Sequence, residues 1–314
     1  MNGTNGIVEH TIITYDTLDA RTELKLLQAQ LTSEKDQQTS KDLQKFLLTK
    51  EDNSWILDDK VHGLIKSILC HGSQESKLRI LRILAICALK ENFINLLNLD
   101  RKEKVIMNYA TQFHDIPLNL QKALATLICN LFSHPQTAYY ALYFSGWTPT
   151  LHKEQCCNAQ IVVQLAAQCL CSKNPSLIQI GSSIMLNISY KHVKVLEKPN
   201  EDDVIDFDQA NLDYETMSQK DFSEKKGSFV ALKAYDDMVV EICSSLWEFL
   251  TSTKEIDNEV LNRALKTLVN FVHMLDFADS DMADELRALS GKDISPNNQQ
   301  LIQDLLSKFS VAAP

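Results

Sequence analysis

Residues 122–134 read KALATLICNLFSH. Leu127, Ile128, Leu131 and Phe132 are spaced as the buried side of a helix, and Asn130 stands among them. A buried amide without partners costs about 1–3 kcal/mol. Asn130 therefore either ties the local fold together or faces a surface where another group satisfies it.

Two other segments share the pattern: IGSSIMLNISYKH (180–192) and RALKTLVNFVHM (263–274). They align on Asn130, Asn187 and Asn270. A weaker fourth, RILRILAICALK (79–90), has Cys87 at that position. The spacings are 43, 57 and 83 residues, and an acidic stretch of 34 residues, 195–228, lies within the last. Removing it leaves 49. The 57-residue interval contains YFSGWTPTLHKEQ as its excess. Repeats of roughly 40–47 residues mark armadillo and HEAT arrays. On a helix, one face then carries Ala123, Thr126, Asn130 and His134 in the first copy. The second places Ile180, Ser183, Asn187, Tyr190 and Lys191 there, and the third Arg263, Lys266, Asn270 and His273. Each helix is thus expected to show a narrow polar stripe on an otherwise buried cylinder.

Such a stripe suits an extended peptide, whose backbone offers an N–H and a C=O at every residue. An Asn amide supplies one acceptor and donors in the same group. The alternative is architectural: each Asn bonds a carbonyl of the neighbouring repeat.

Composition agrees with helices. Only 8 Gly and 7 Pro occur in 314 residues, too few turn residues for a sandwich or barrel. Helical patterns are placed near 20–31, 40–49, 54–71, 75–90, 91–98, 101–113, 117–133, 136–144, 158–172, 175–193, 228–253, 257–275, 279–290 and 296–309. Pro135, Pro175 and Pro296 sit at or next to first turns. Residues 7–15, IVEHTIITY, read as part of an extended N-terminal arm, taken as 1–19. The segment 195–228 holds ten Asp or Glu against four Lys and reads as a flexible acidic insertion within one domain, 1–314.

Function classes narrow accordingly. A net charge of −10 argues against nucleic acid and anionic membranes. No apolar run is long enough to span a bilayer, so no membrane insertion is expected. MNGTNGIVEH lacks the pattern of a signal peptide. The eight cysteines, at 70, 87, 129, 156, 157, 169, 171 and 243, lack zinc-ligand spacing and read as structural thiols in a reducing, cytoplasmic or nuclear setting. No motif pairs His134, His192 or His273 with a nucleophile, and no phosphate loop exists. The expectation is a non-enzyme with no catalytic residue, cofactor or metal. It is either a peptide-binding adaptor or a scaffold assembling through its other faces.

NLQKALATLICNLF (119–132), SKNPSLIQIGSSIMLNISYKH (172–192) and RALKTLVNFVHMLDFADSDMADELRAL (263–289) resemble three successive repeats of the PUL domain, which ends the phospholipase A-2-activating proteins. TIITYDTLDARTELKLLQ (11–28) resembles that family's lead-in, and NNQQLIQDLLSKF (297–309) its last helix. The resemblance implies an all-α, armadillo-like solenoid of about six repeats. It also implies a basic concave groove for the acidic C-terminal tail of the valosin-containing AAA ATPase, in ubiquitin homeostasis. Arg263 matches a groove Arg of the family. Thr126 stands where the family has another, and Lys122, Lys191 and Lys266 are the candidates to compensate. The family's propeller and ubiquitin-binding module are not in this sequence, so any ubiquitin link is expected to be indirect. The peptide-binding set is therefore Thr126, Asn130, His134, Ser183, Asn187, Tyr190, Lys191, Arg263, Lys266, Asn270 and His273. NEDDVIDFDQANLDYE (200–215) mimics the acidic tail and is a candidate cis ligand.

Overall fold

Short polar caps and prolines start the helices. Asp19, Asp58, Ser73, Asn174 and Asp257 each accept a backbone N–H from the first turn that follows, and Pro135, Pro175 and Pro296 are first helical residues. A computed structural model describes residues 11–49, 57–143, 146–150, 154–196, 233–253, 255–271, 280–291 and 294–311, without the side chains of 191–196, 233–237, 280–281 and 309–311.

The described residues form fourteen α-helices. They are α1 (Ala20–Gln28), α2 (Glu34–Leu48), α3 (Asp59–His71), α4 (Gln74–Cys87), α5 (Ile94–Glu103), α6 (Val105–Ala110), α7 (Leu118–Asn130) and α8 (Pro135–Ala141), followed by α9 (Asn158–Leu170), α10 (Pro175–Leu196), α11 (Lys233–Ser252), α12 (Asn258–Phe271), α13 (Ser280–Ser290) and α14 (Pro296–Val311). Two ladders organise them. One runs α1–α4–α7–α10–α12–α14, each helix packed on the next. The other runs α2–α3–α6–α9–α11, with α5 and α8 lodged between rungs. Helices such as α7, where Leu124, Leu127 and Ile128 are fully buried, are covered on several sides. The chain is an all-α, armadillo/HEAT-like solenoid, and six helices make its first ladder.

Three segments depart from the sequence reading for identifiable reasons. Helix α2 begins at Glu34 rather than near 40, because its first turns are polar and its apolar signal begins only at Leu43. The break expected near 98–101 falls at Lys104, which takes a left-handed conformation with φ 49° between α5 and α6. The helix expected over 117–133 ends at Asn130 and tightens into a 3₁₀ turn over 131–133. At the excess in the 57-residue interval, Trp147 and Cys156 exchange backbone bonds of 2.8 and 2.9 Å. Residues 11–19 form no helix. Positions 1–10 of the arm and 197–228 of the insertion lie outside the described residues. Val195 and Leu196, assigned to the insertion, are the last residues of α10.

Helices α9 and α10 approach closely at Gly181. A methyl group there would lie 2.7 Å from Cys169 Cβ and 2.8 Å from the Ala166 carbonyl oxygen. The backbone oxygen cannot rotate aside. Gly181→Ala is expected to lose about 1–3 kcal/mol of stability through overpacking, measured by urea unfolding. An unchanged midpoint would show that the two helices separate freely.

Candidate functional site

Two asparagines of the polar stripe are met by the chain's own arm. Tyr15 N–H donates to Asn130 Oδ1 at 2.7 Å, and Asn130 Nδ2–H donates back to the Tyr15 carbonyl at 2.9 Å. Two residues earlier, Ile13 N–H donates to Asn187 Oδ1 at 2.9 Å, and Asn187 Nδ2–H donates to the Ile13 carbonyl at 2.8 Å. Each amide thus meets one residue of extended backbone as a neighbouring strand would. Residues i and i+2 of an extended chain face the same side, so alternate residues reach successive helices. The arm runs against the order of the ladder, with Tyr15 on α7 and Ile13 on α10.

Asn130 serves the neighbouring repeat as well as the arm. Its amide also donates to the Ala85 carbonyl at 2.9 Å. Ser133 Oγ donates to Ala88 O at 2.7 Å, and His134 Nε2 lies 3.0 Å from Leu89 O. These three side chains serve carbonyls at the C-terminal end of α4, which have no partners within that helix. The Asn130 amide therefore bonds the arm and the neighbouring repeat at once, and it is fully buried. The Cys129 thiol donates to the Ile13 carbonyl at 3.4 Å, a contact that an aliphatic reading of Cys129 misses. Burial pushes that thiol up to about 12, so it stays protonated as a donor.

Tyr15 brings in α12. Its phenol lies 3.0 Å from Ser183 Oγ. Ser183 donates its proton to the Gln179 carbonyl at 2.7 Å, so its oxygen accepts from Tyr15 and from Arg263 Nη1, the latter at 2.9 Å. Arg263 also donates to the Gln179 carbonyl at 3.1 Å and pairs with Glu259. Burial raises the Tyr15 pKa against the lowering pull of Ser183 and Arg263, in keeping with a phenol that donates.

The other expected residues are placed as follows. Thr126 is half-buried on α7 and Tyr190 is buried on α10. Asn270, on α12, is half-buried and donates to Ser189 Oγ at 2.9 Å. Lys266 is half-buried one turn from Arg263. Lys191 lies in α10 with its side chain not described, and His273 lies outside the described residues. Arg263 is only 8% exposed and its guanidinium already has three partners. The rungs of Asn130 and Asn187 hold residues 13–15, and the acidic insertion lies outside the described residues.

A second buried polar cluster braces the other ladder. Asp100, fully buried at the end of α5, accepts from Val105 N–H at 2.8 Å and Ile106 N–H at 3.3 Å. It also meets His62 Nε2 at 2.9 Å and accepts from the Tyr140 hydroxyl at 2.5 Å. The bond to Asp100 raises the His62 pKa, and burial opposes this. A raised folded-state pKa gives stability that is fully present below the unfolded value of about 6.5 and is lost as pH rises through the folded value. The stability lost in His62→Gln is therefore expected to be larger near pH 5.5 than near pH 8.5. A loss independent of pH would remove the charged form of His62 from the account. Among the described residues, no group of three or more His, Cys, Asp or Glu is placed to hold a metal ion, and no helix is long and apolar enough to cross a membrane.

No protein-family model and no curated protein sequence matches the chain. The chain is similar in fold to the crystal structure of an engineered protein from the Northeast Structural Genomics Consortium, with TM-score 0.51 and 16% identity over 94% of this chain and 98% of that one. A second engineered protein from the same consortium aligns at TM-score 0.49 and 14% identity, over 94% and 99% of the two chains. The first likeness shows a shared all-helical fold and nothing of function.

Proposed function

We propose that this solenoid is a non-enzymatic adaptor that binds an extended peptide along the face formed by α7, α10 and α12. The observation that carries this reading is the pair of asparagines, each gripping one residue of extended backbone through both amide atoms. Those bonds read backbone and not sequence, so any extended segment can make them. The resemblance to the PUL domain extends the proposal to a ligand: the acidic C-terminal tail of a valosin-containing-protein-type AAA ATPase, in ubiquitin-linked quality control. Lys266 and Lys191 supply the positive charge in this reading. Asn270 offers a third amide on the next helix of the ladder. Arg263 acts by holding Ser183 and the Gln179 carbonyl in place and lends its field to the same end of the face.

The test is fluorescence anisotropy with a labelled peptide ending Asp-Asp-Leu-Tyr-Gly. Micromolar binding is expected, weakening at high salt as charges are screened. Lys266→Glu is the informative variant, because it reverses a half-exposed charge without breaking the Arg263 contacts. Lys266→Glu should lose binding at least tenfold. Salt-insensitive binding, or none even to a chain whose arm has been released from Asn130 and Asn187, would set aside the acidic-tail ligand.

A further inference from the structure

We propose that residues 11–18 are an exchangeable pseudo-ligand that gates the face: the arm must leave Asn130 and Asn187 before a partner's extended segment takes them. The inference rests on the reading of those asparagines as peptide rungs, and it adds the regulation of the site and the class of segment that fits it.

Three observations carry it. First, the arm lies at the edge of the core rather than within it, with Ile12, Tyr15 and Leu18 partly buried against that edge. None of residues 11–19 is buried, whereas Leu24 and Leu27 of α1, a few residues on, are 2% and 0% exposed. Second, the boundary between strap and helix is sharp. Helix α1 has its own cap in Asp19, and Glu23 pairs with Arg79 at 2.9 Å and Arg82 at 3.0 Å on α4. The arm can therefore detach while α1 stays docked. Third, four of the arm's bonds join its backbone N–H and C=O groups to the two asparagine amides, two donated each way, and a different extended segment offers the same groups.

One arm side chain is read specifically. The Tyr15 hydroxyl completes the lone pairs of Ser183, whose other partners, Gln179 and Arg263, belong to the fold. The segment class that replaces the arm is thus extended, with a tyrosine to meet Ser183 and an aliphatic residue three positions to either side of it, as Ile12 and Leu18 flank Tyr15 and pack on the core. A tethered competitor acts at an effective concentration of about millimolar. It raises the apparent dissociation constant of an outside segment without altering the site.

The experiment uses the full chain and the double variant Ile13→Pro with Tyr15→Pro, which removes both N–H groups donated to the rungs. The probe is a labelled peptide of the arm's own sequence, TIITYDTLD. The variant, with unchanged helical circular dichroism, should bind the probe at least tenfold more tightly than the wild type. A probe with phenylalanine for tyrosine should bind several-fold more weakly. Equal affinity for the two chains, or no binding to either, would overturn the gate. Hydrogen exchange on the unmodified protein gives an independent reading: the amides of Ile13 and Tyr15 should exchange far faster than those of Leu24 and Leu27. Equal protection would mean that the arm is permanent structure, whatever the variant does. The acidic-tail peptide separates the two proposals. If it binds wild type and variant equally, the gate fails and the adaptor stands. If only the arm peptide binds, the gate stands and the acidic-tail ligand fails.

Discussion

Asp100→Ala is expected to lower the unfolding free energy by about 3–5 kcal/mol, among the largest effects of any single substitution in this chain. The carboxylate is fully buried and has four partners: the N–H groups of Val105 and Ile106, the Tyr140 hydroxyl and the His62 ring. Removing it leaves the first N–H groups of α6 without an acceptor and a buried phenol and imidazole facing a void. Those N–H groups follow directly on Lys104, whose left-handed backbone lets α6 start straight after α5. The Lys104 ammonium lies over the rings of Tyr143 and Trp147, at 5.7 and 5.8 Å, so the loss should propagate into the α8–α9 loop. Urea unfolding followed by circular dichroism and by Trp fluorescence is the check. Asp100→Asn keeps an acceptor for one N–H and should cost less. A loss below about 1 kcal/mol for the alanine variant would mean that water replaces the carboxylate.

Asn130→Ala should cost about 2–4 kcal/mol and release the arm. The substitution removes three bonds, two to Tyr15 and one to the Ala85 carbonyl. The Tyr15 groups can return to water, since the arm lies at the surface. The Ala85 carbonyl sits within the α4–α7 contact, and its loss of a partner is the larger part of the cost. Asn187→Ala removes the Ile13 pair and a long contact to the Cys129 sulfur at 3.6 Å, with no buried carbonyl orphaned. It should therefore release the arm about as well and destabilise the fold about 1 kcal/mol less. Hydrogen exchange at Tyr15 and Ile13, read beside the global unfolding energy, separates the two effects. An Asn130 variant with the Tyr15 amide still protected would show that the arm is held elsewhere.

Helix identity, the repeat, and the equivalence of Asn130, Asn187 and Asn270 were legible in the sequence, because each depends on local spacing: apolar residues at helical period and one polar position per repeat. The third asparagine shows the limit of such a reading. It shares the register of the other two, yet its amide nitrogen bonds Ser189. Register fixes which face a residue is on and leaves its partner open.

The same limit separates Arg263 from Lys266. Both lie on the polar stripe of one helix, and sequence alone makes both available to a ligand carboxylate. The fold buries Arg263 among Ser183, Gln179 and Glu259, and leaves Lys266 half-exposed. Asp100 is a related case. It reads as an ordinary charge near a helix end, and its partners His62 and Tyr140 are 38 and 40 residues away.

By itself, then, the sequence determined an all-helical ladder with an asparagine recurring at one helical register, and it offered residues 7–15 as a candidate extended segment. Only the tertiary structure decided that the segment and the asparagines belong to each other. The physical reason is that backbone hydrogen bonds carry no sequence signature: an amide accepts an N–H from Tyr15 or from any other chain, and proximity in space selects which.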